Sequence, residues 1–117
     1  MDSFKKKPLI SIIINCHNGE KYLSDCIKSA LDQSYRNFEI IFFDNCSTDQ
    51  SVKIINKHKD KRIKFFCSKK KPILSLYKAR NLAITYARGE YITFLDTDDL
   101  WEKKKLEKQL KLLKKNP

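Results

Sequence analysis

Leu9-Ile10-Ser11-Ile12-Ile13-Ile14 is β-branched almost throughout, and it ends abruptly in the polar segment Asn15-Cys16-His17-Asn18-Gly19. Such a run suits a strand buried on both faces of a parallel sheet, and the polar segment reads as the loop that leaves it. Beyond the loop, Tyr22, Leu23, Cys26, Ile27, Ala30 and Leu31 recur at helical spacing and predict one apolar stripe, with Asn18 as N-cap and Glu20 in the first turn.

The same unit then repeats. Phe38-Glu39-Ile40-Ile41-Phe42-Phe43 is a second strand, running into Asp44-Asn45-Cys46-Ser47-Thr48-Asp49, a turn rich in capping residues. Val52, Ile54 and Ile55 mark a short helix, and Ile63-Lys64-Phe65-Phe66-Cys67 a third strand. A basic loop with Pro72 precedes a helix marked by Leu76, Ala79, Leu82, Ala83 and Tyr86, closed by Gly89. Tyr91-Ile92-Thr93-Phe94-Leu95 is a fourth strand ending at Asp96, and Leu106, Leu110 and Leu113 mark a last helix.

Strands alternating with helices predict an α/β fold with a mainly parallel sheet of four strands, and right-handed crossovers favour the order 3-2-1-4. That order has a switch point between the first and fourth strands, where open α/β sheets bind ligands beyond the strands' carboxyl ends. Residues 16–19, 44–49 and 96–99 converge there, and two of these segments begin with a carboxylate.

Composition narrows the class. The 117 residues suit a single domain over residues 1–117, with 1–7 as a flexible basic tail. A hydrophobic fraction of 41% supports a core, and two glycines with three prolines exclude a linker or low-complexity segment. The net charge of +11 gathers in Lys57, Lys59, Lys61, Arg62, Lys64, Lys69, Lys70 and Lys71, and in a lysine-rich tail from Lys103 to Lys115. These are solvated faces, or surfaces attracted to anionic lipid or an acidic ligand. No nucleic-acid motif accompanies them, so nucleic acid is not an expected partner. No apolar run is long enough to span a bilayer, and no signal-peptide segment follows the basic start. Cys16, Cys26, Cys46 and Cys67 have neither CxxC nor zinc-ligand spacing; they read as small buried hydrophobes, reduced in the cytoplasm.

Chemistry concentrates in a few places. Asp96-Thr97-Asp98-Asp99 packs three carboxylates directly after a buried strand. Mutual repulsion makes this costly unless a cation or donor groups neutralise it, and a hard divalent ion shared with a substrate diphosphate would do so. The alternative is a helix N-cap cluster before Trp101. Asp44 ends an otherwise apolar strand, where it accepts hydrogen bonds from a base N–H or a ribose hydroxyl, or else starts an Asx-turn with Ser47 or Thr48. Asp49 reads as a helix-terminus residue. Arg80, followed by Asn81, pairs with a phosphate or with one of the aspartates. His17 stacks on a base or is solvated. There is no Ser/His/Asp set, no P-loop and no G-x-G-x-x-G.

With these residues in place, the chain resembles the family 2 glycosyltransferases. Ser11-Ile12-Ile13-Ile14-Asn15-Cys16-His17-Asn18-Gly19-Glu20-Lys21-Tyr22-Leu23 resembles their opening strand and loop. Phe43-Asp44-Asn45-Cys46-Ser47-Thr48-Asp49 is similar to their second-strand motif, usually Asp-Asp-Gly-Ser-Thr-Asp. Ala79-Arg80-Asn81, Ala87-Arg88-Gly89-Glu90-Tyr91-Ile92 and Leu95-Asp96-Thr97-Asp98-Asp99 resemble the approach to their DXD motif. Several ordered motifs at compatible spacing make the resemblance specific.

The resemblance implies the Rossmann-like, nucleotide-binding half of a GT-A fold and inverting transfer from a nucleotide-diphosphate sugar, with a UDP-sugar favoured. Asp44 would contact the base, with Cys16, His17, Asn18 and Glu20 bordering it. Arg80 would help bind the nucleotide, Asp96 would reach the ribose or the ion, and Asp98 would hold Mn²⁺ or Mg²⁺ as Lewis acid at the diphosphate. The acceptor would be a glycan or lipid-linked molecule in surface polysaccharide or lipopolysaccharide synthesis, with peripheral contact at the inner membrane face. Departures fall at Asn15, where proline is common, at His17, where an aromatic is common, and at Asn45-Cys46 in place of Asp-Gly. The family's acceptor half and general base are expected downstream of a truncated or partial chain, and no catalytic residue is assigned within it. By itself the chain is expected to be inactive. The competing expectations are a nucleotide-sugar-binding module without turnover, and a basic protein that binds a membrane surface or nucleic acid.

Overall fold

A computed structural model describes residues 7–68 and 73–115. Most of the basic tail, Lys69, Lys70, Lys71 and Pro72 of the basic loop, and Asn116-Pro117 lie outside the described residues. The elements run β1 (Ile10–Cys16), α1 (Glu20–Leu31), β2 (Phe38–Asp44), α2 (Ser51–Asn56), β3 (Ile63–Cys67), α3 (Leu76–Ile84), β4 (Tyr91–Phe94) and α4 (Lys105–Lys115). The sheet order is β3-β2-β1-β4, with every pairing parallel, as the pattern of strands and helices predicts.

The two central strands explain their composition. Ile10, Ile12 and Ile14 of β1, with Ile40 and Phe42 of β2, meet Leu23, Cys26, Ile27 and Ala30 of α1 and Leu106 and Leu110 of α4. On the opposite face Ile13, Ile41 and Phe43 meet Ala79 and Ala83 of α3. Each strand is therefore apolar on both sides, which is why neither shows alternation. Fully burying one such side chain stabilises the fold by about 1.5–3 kcal/mol.

The helices correct several details of the sequence pattern. Tyr22, Leu76, Leu82, Tyr86 and Leu113 occupy apolar positions but are exposed. On α3 the contact with the sheet is made by two alanines, so the larger residues fall on its flanks; Tyr86 instead stacks on Phe66 of β3, ring centroids 3.8 Å apart. Ser75 caps α3, its Oγ accepting from the Lys78 N–H at 3.2 Å.

Gly89 does not close α3, which ends at Ile84 with Thr85 as its C-cap in ordinary helical geometry. No described glycine has a positive φ. Gly89 is required by close approach: a Cβ there would lie 2.6 Å from Ser11 N and Oγ and 2.8 Å from the Leu9 carbonyl. Its N–H donates to Ser11 Oγ at 2.8 Å, and Ser11 Oγ donates to Glu39 Oε2 at 2.6 Å. Glu39 also accepts from the Arg88 N–H at 2.7 Å and from Lys64 Nζ at 3.1 Å. Burial pushes the Glu39 carboxyl up, but the Ser11, Arg88 and Lys64 donors outweigh it and hold the group below its ordinary value. This latch ties β1, β2 and β3 to the turn before β4.

Candidate donor site at the carboxyl ends of the strands

The loops after β1, β2 and β4 meet at the switch point between β1 and β4, and their contacts are specific. Asn18 adopts a left-handed φ of 52°. It is not the cap of α1: the N-cap position is Gly19, with no side-chain cap bond. Asn18 Oδ1 instead accepts from the Thr48 N–H at 2.7 Å and the Asp49 N–H at 3.3 Å, while the Asn18 N–H donates to Ser47 Oγ at 2.9 Å. The orphan donors at the start of α1 are met across the gap. Gly19 N–H reaches Ser51 Oγ at 2.9 Å, and Glu20 N–H reaches Asp49 Oδ2 at 3.1 Å. Asp49 also accepts from the Ser51 N–H at 2.9 Å, so it serves two helix starts, in line with its reading as a terminus residue. Glu20 itself is exposed.

Gly19 also faces the acidic loop, where a Cβ would meet Thr97 Oγ1 at 3.0 Å. Cys26 Sγ donates to the Asp96 carbonyl at 3.4 Å. Burial pushes the Cys26 thiol up to about 12, with neighbouring Asp99 adding to the effect, and burial raises Cys16 as well. Both thiols are thus inert packing groups. Cys67, by contrast, is exposed, and none of the four cysteines forms a disulfide.

Asp44 is 4% exposed. Its Oδ2 accepts the Ser47 N–H at 3.1 Å, which is the expected local turn, but its Oδ1 is buried without a partner. Asn15 Oδ1 is in the same condition. His17 is exposed, and its Nδ1–H donates to the Asn45 carbonyl at 2.7 Å. Asn45 bonds the backbone of Leu74 in both directions, at 2.8 and 3.1 Å. That clamp shapes a slot of about 190 Å³, lined by Asn15, Cys16, His17 and Asn45 and walled by Leu74, Leu76 and Ala79. A larger apolar groove, about 300 Å³, lies between β4 and α4 and has no charged side chain in its lining.

Asp96, Asp98 and Asp99 are exposed, and one carboxylate oxygen from each lies within 4.8 Å of the others. They do not cap a helix. Segment 96–104 is turn and coil, and α4 starts at Lys105 with the Leu106 N–H held by buried Gln33 Oε1 at 3.0 Å. Among the described residues the cation paired with this triplet is Arg80, 3.3 Å from Asp96 Oδ1, with its guanidinium over the Phe94 ring. Three hard oxygen donors with one counter-cation suit a divalent ion of the Mg²⁺ or Mn²⁺ type, which uses one or two carboxylates and fills its remaining positions with phosphate oxygens and water.

Sequence pattern therefore places Cys16, His17, Asn18, Asp44, Asp96 and Asp98 at one end of the sheet, with Arg80 reaching it from α3. It gives no sign of Asn15 as an unpartnered group, or of Asn45 as a clamp. Asn45 is polar inside a turn, and nothing local distinguishes a clamp from ordinary solvation.

The chain belongs to glycosyl transferase family 2, whose sequence profile it matches over residues 11–117. An uncharacterized glycosyltransferase of Haemophilus influenzae is 48% identical over 111 residues, covering 93% of this chain and 44% of the relative. The Escherichia coli UDP-Glc:alpha-D-GlcNAc-diphosphoundecaprenol beta-1,3-glucosyltransferase WfaP is 44% identical over 102 residues, covering 87% of this chain and 40% of the relative. The crystal structure of S. aureus TarS 1-349 superposes with a TM-score of 0.83 at 30% identity, covering 91% of this chain and 32% of that chain. The chain thus spans less than half the length of each of these proteins.

Proposed function

We propose that this chain is the donor-binding region of a glycosyltransferase, taking a UDP-sugar together with Mn²⁺ or Mg²⁺. The observation that carries the reading is the buried, unpartnered Asp44 Oδ1 at the end of a central strand. An acceptor left without a donor in the protein interior costs about 1–3 kcal/mol, and a nucleobase N–H removes that cost. Across β1 the acidic triplet stands ready for the other end of the same ligand. Asp98 and Asp96 would hold the ion, which supplies Lewis-acid neutralisation of the diphosphate. Arg80 would leave Asp96 for the nucleotide, and His17 and Asn18 would border the base. The likeness to TarS, whose crystal structures include complexes with UDP and UDP-GlcNAc, supports a uridine donor.

In the full reaction the sugar would pass with inversion to a glycan or lipid-linked acceptor in surface polysaccharide or lipopolysaccharide synthesis. The diphosphoundecaprenol substrate in the name of the WfaP relative supports that class. No described helix is long and apolar enough to cross a membrane. The exposed lysines Lys57, Lys59, Lys61 and Lys64 on and before β3, and Lys108, Lys111 and Lys114 on α4, would give peripheral contact with anionic lipid at the cytoplasmic face.

Titration calorimetry tests the donor reading. UDP should bind in the presence of Mn²⁺ and bind markedly more weakly in chelator. Equal affinity in the two conditions removes the metal from the reading, and no binding of any nucleoside diphosphate removes the donor site.

A further inference from the structure

Residues 96–104 carry the acidic triplet without forming a helix or strand. Their backbone is held from α1 and the turn that follows it. Cys26 Sγ donates to the Asp96 carbonyl at 3.4 Å, Ser29 Oγ accepts the Trp101 N–H at 3.1 Å, and the Ser34 N–H donates to the Lys103 carbonyl at 2.9 Å. Gln33, fully buried, makes the largest contribution. Its Nε2 donates to the Glu102 carbonyl at 2.7 Å and to the Ser29 carbonyl at 3.2 Å, and its Oε1 accepts the Leu106 N–H at 3.0 Å. We propose that Gln33 is a positioning residue for the ion site: through the backbone of residues 101–106 it holds Asp96, Asp98 and Asp99 in the close arrangement that a divalent ion needs. The inference rests on the donor-site reading.

The place of Gln33 in the fold supports this role. It lies three residues beyond Ala30, at the end of the apolar stripe formed by Leu23, Cys26, Ile27 and Ala30. An apolar side chain there would add to the core without the cost of desolvating an amide. The amide instead satisfies two carbonyls and one N–H, so its polar groups serve the acidic loop and the first turn of α4. Cys26, Ser29 and Gln33 follow one another at i, i+3 and i+7, which puts all three contacts on one side of one helix.

The triplet needs that support. One oxygen from each exposed carboxylate lies within 4.8 Å of the others, and like charges at that separation repel. Arg80 offsets part of the repulsion through Asp96. A coil segment relieves the remainder by spreading, unless its backbone is fixed. The bonds at Asp96 on one side, and at Trp101, Glu102 and Lys103 on the other, bracket Asp98 and Asp99 and oppose that spreading. Groups that fix the ligands of a metal raise its affinity without touching it.

The test compares the parent chain with Gln33→Met, close in length but without hydrogen bonds, and with Ser29→Ala, a smaller change that removes the acceptor of the Trp101 N–H. Each is titrated with UDP in Mn²⁺ and in chelator, and each is followed without ligand by amide hydrogen exchange and thermal unfolding. Gln33→Met should cut the Mn²⁺-dependent gain in UDP affinity about tenfold and leave affinity in chelator within about twofold of the parent. Ser29→Ala should act in the same direction, by about threefold. Without ligand, exchange should rise more in residues 96–106 than in β1 and β2. A parental Mn²⁺ gain in Gln33→Met overturns the proposal even if the unfolding midpoint falls, because a purely structural amide gives that result. So does an equal loss in Mn²⁺ and in chelator, or a rise in exchange no greater in residues 96–106 than in the central strands. If Gln33→Met does not fold, Ser29→Ala decides, and a parental Mn²⁺ gain in it overturns the proposal. A parent that shows the gain while both variants keep it sinks the Gln33 proposal alone. A parent that binds UDP equally in Mn²⁺ and in chelator sinks the metal reading and the proposal together.

Discussion

Glu39 and Asp44 are buried carboxylates on the same strand, and their surroundings differ completely. Glu39 accepts from a serine hydroxyl, a backbone N–H and a lysine, and these contacts join three strands to the turn before β4. Asp44 has one partner on Oδ2 and none on Oδ1. Burial alone therefore does not tell a structural acid from a ligand-binding one; satisfaction does. The amino end of the sheet is closed by its own hydrogen bonds, and the carboxyl end is left open for something else.

Stability measurements should separate the two ends. Glu39→Leu strands the Ser11 hydroxyl and the Arg88 N–H in the interior and should cost about 3 kcal/mol in chemical denaturation. A cost below about 0.5 kcal/mol would mean that the latch is not structural. Gly89→Ala follows, at about 2 kcal/mol, since its Cβ meets the Ser11 N and Leu9 carbonyl of the backbone as well as the Ser11 Oγ. Retention of the parental unfolding midpoint would show that the turn before β4 yields easily.

Acid unfolding sharpens the contrast at smaller amplitude. The folded-state pKa of Glu39 is lowered, so its contribution is full above its ordinary value of 4.5 and is lost as pH falls through the folded value. Asp60, held down to about 2 by the Arg62 guanidinium, acts in the same direction over a window reaching lower pH. Stability should therefore fall with pH below about 4.5, and Glu39→Gln should flatten the upper part of that limb. An unchanged limb in Glu39→Gln would assign the acid sensitivity elsewhere.

A gain is expected at the open end. Cys46 holds a left-handed φ of 57°, at the place where the family motif carries glycine. Cys46→Gly should stabilise the ligand-free chain by about 1 kcal/mol. A loss would show that the Cys46 side-chain contacts, which include Sγ to the Ser68 carbonyl, outweigh the backbone strain.

The strand order and the gathering of Asp44, Asp96 and Asp98 were legible because both follow from local pattern: apolar runs that end in carboxylates, at a switch point fixed by crossover handedness. Asn18 and Gly89 were misplaced because their roles depend on partners far along the chain, Thr48 for one and Ser11 for the other. Rules for helix ends weigh only adjacent residues and cannot see such contacts. Glu39 carries a readable signal, a lone charge inside Phe38-Glu39-Ile40-Ile41-Phe42-Phe43, which marks a buried acid in need of donors. Asn15 carries none. A polar residue at a strand end is ordinary, and its lack of a partner appears only in the folded arrangement.

The central claim is that the open end is two sites for one ligand, Asp44 for the base and the acidic triplet for an ion on the diphosphate. UDP titration of Asp98→Asn and Asp44→Asn, each with Mn²⁺ and each with chelator, tests it most directly. Asp98→Asn should weaken binding at least about tenfold in Mn²⁺ and leave it unchanged in chelator, because the lost charge acts only through the ion. Asp44→Asn should weaken binding equally in both conditions, with the ligand-free unfolding midpoint unchanged or raised. An Asp98→Asn effect that persists in chelator, or an Asp44→Asn variant that binds UDP as the parent does, would contradict the account.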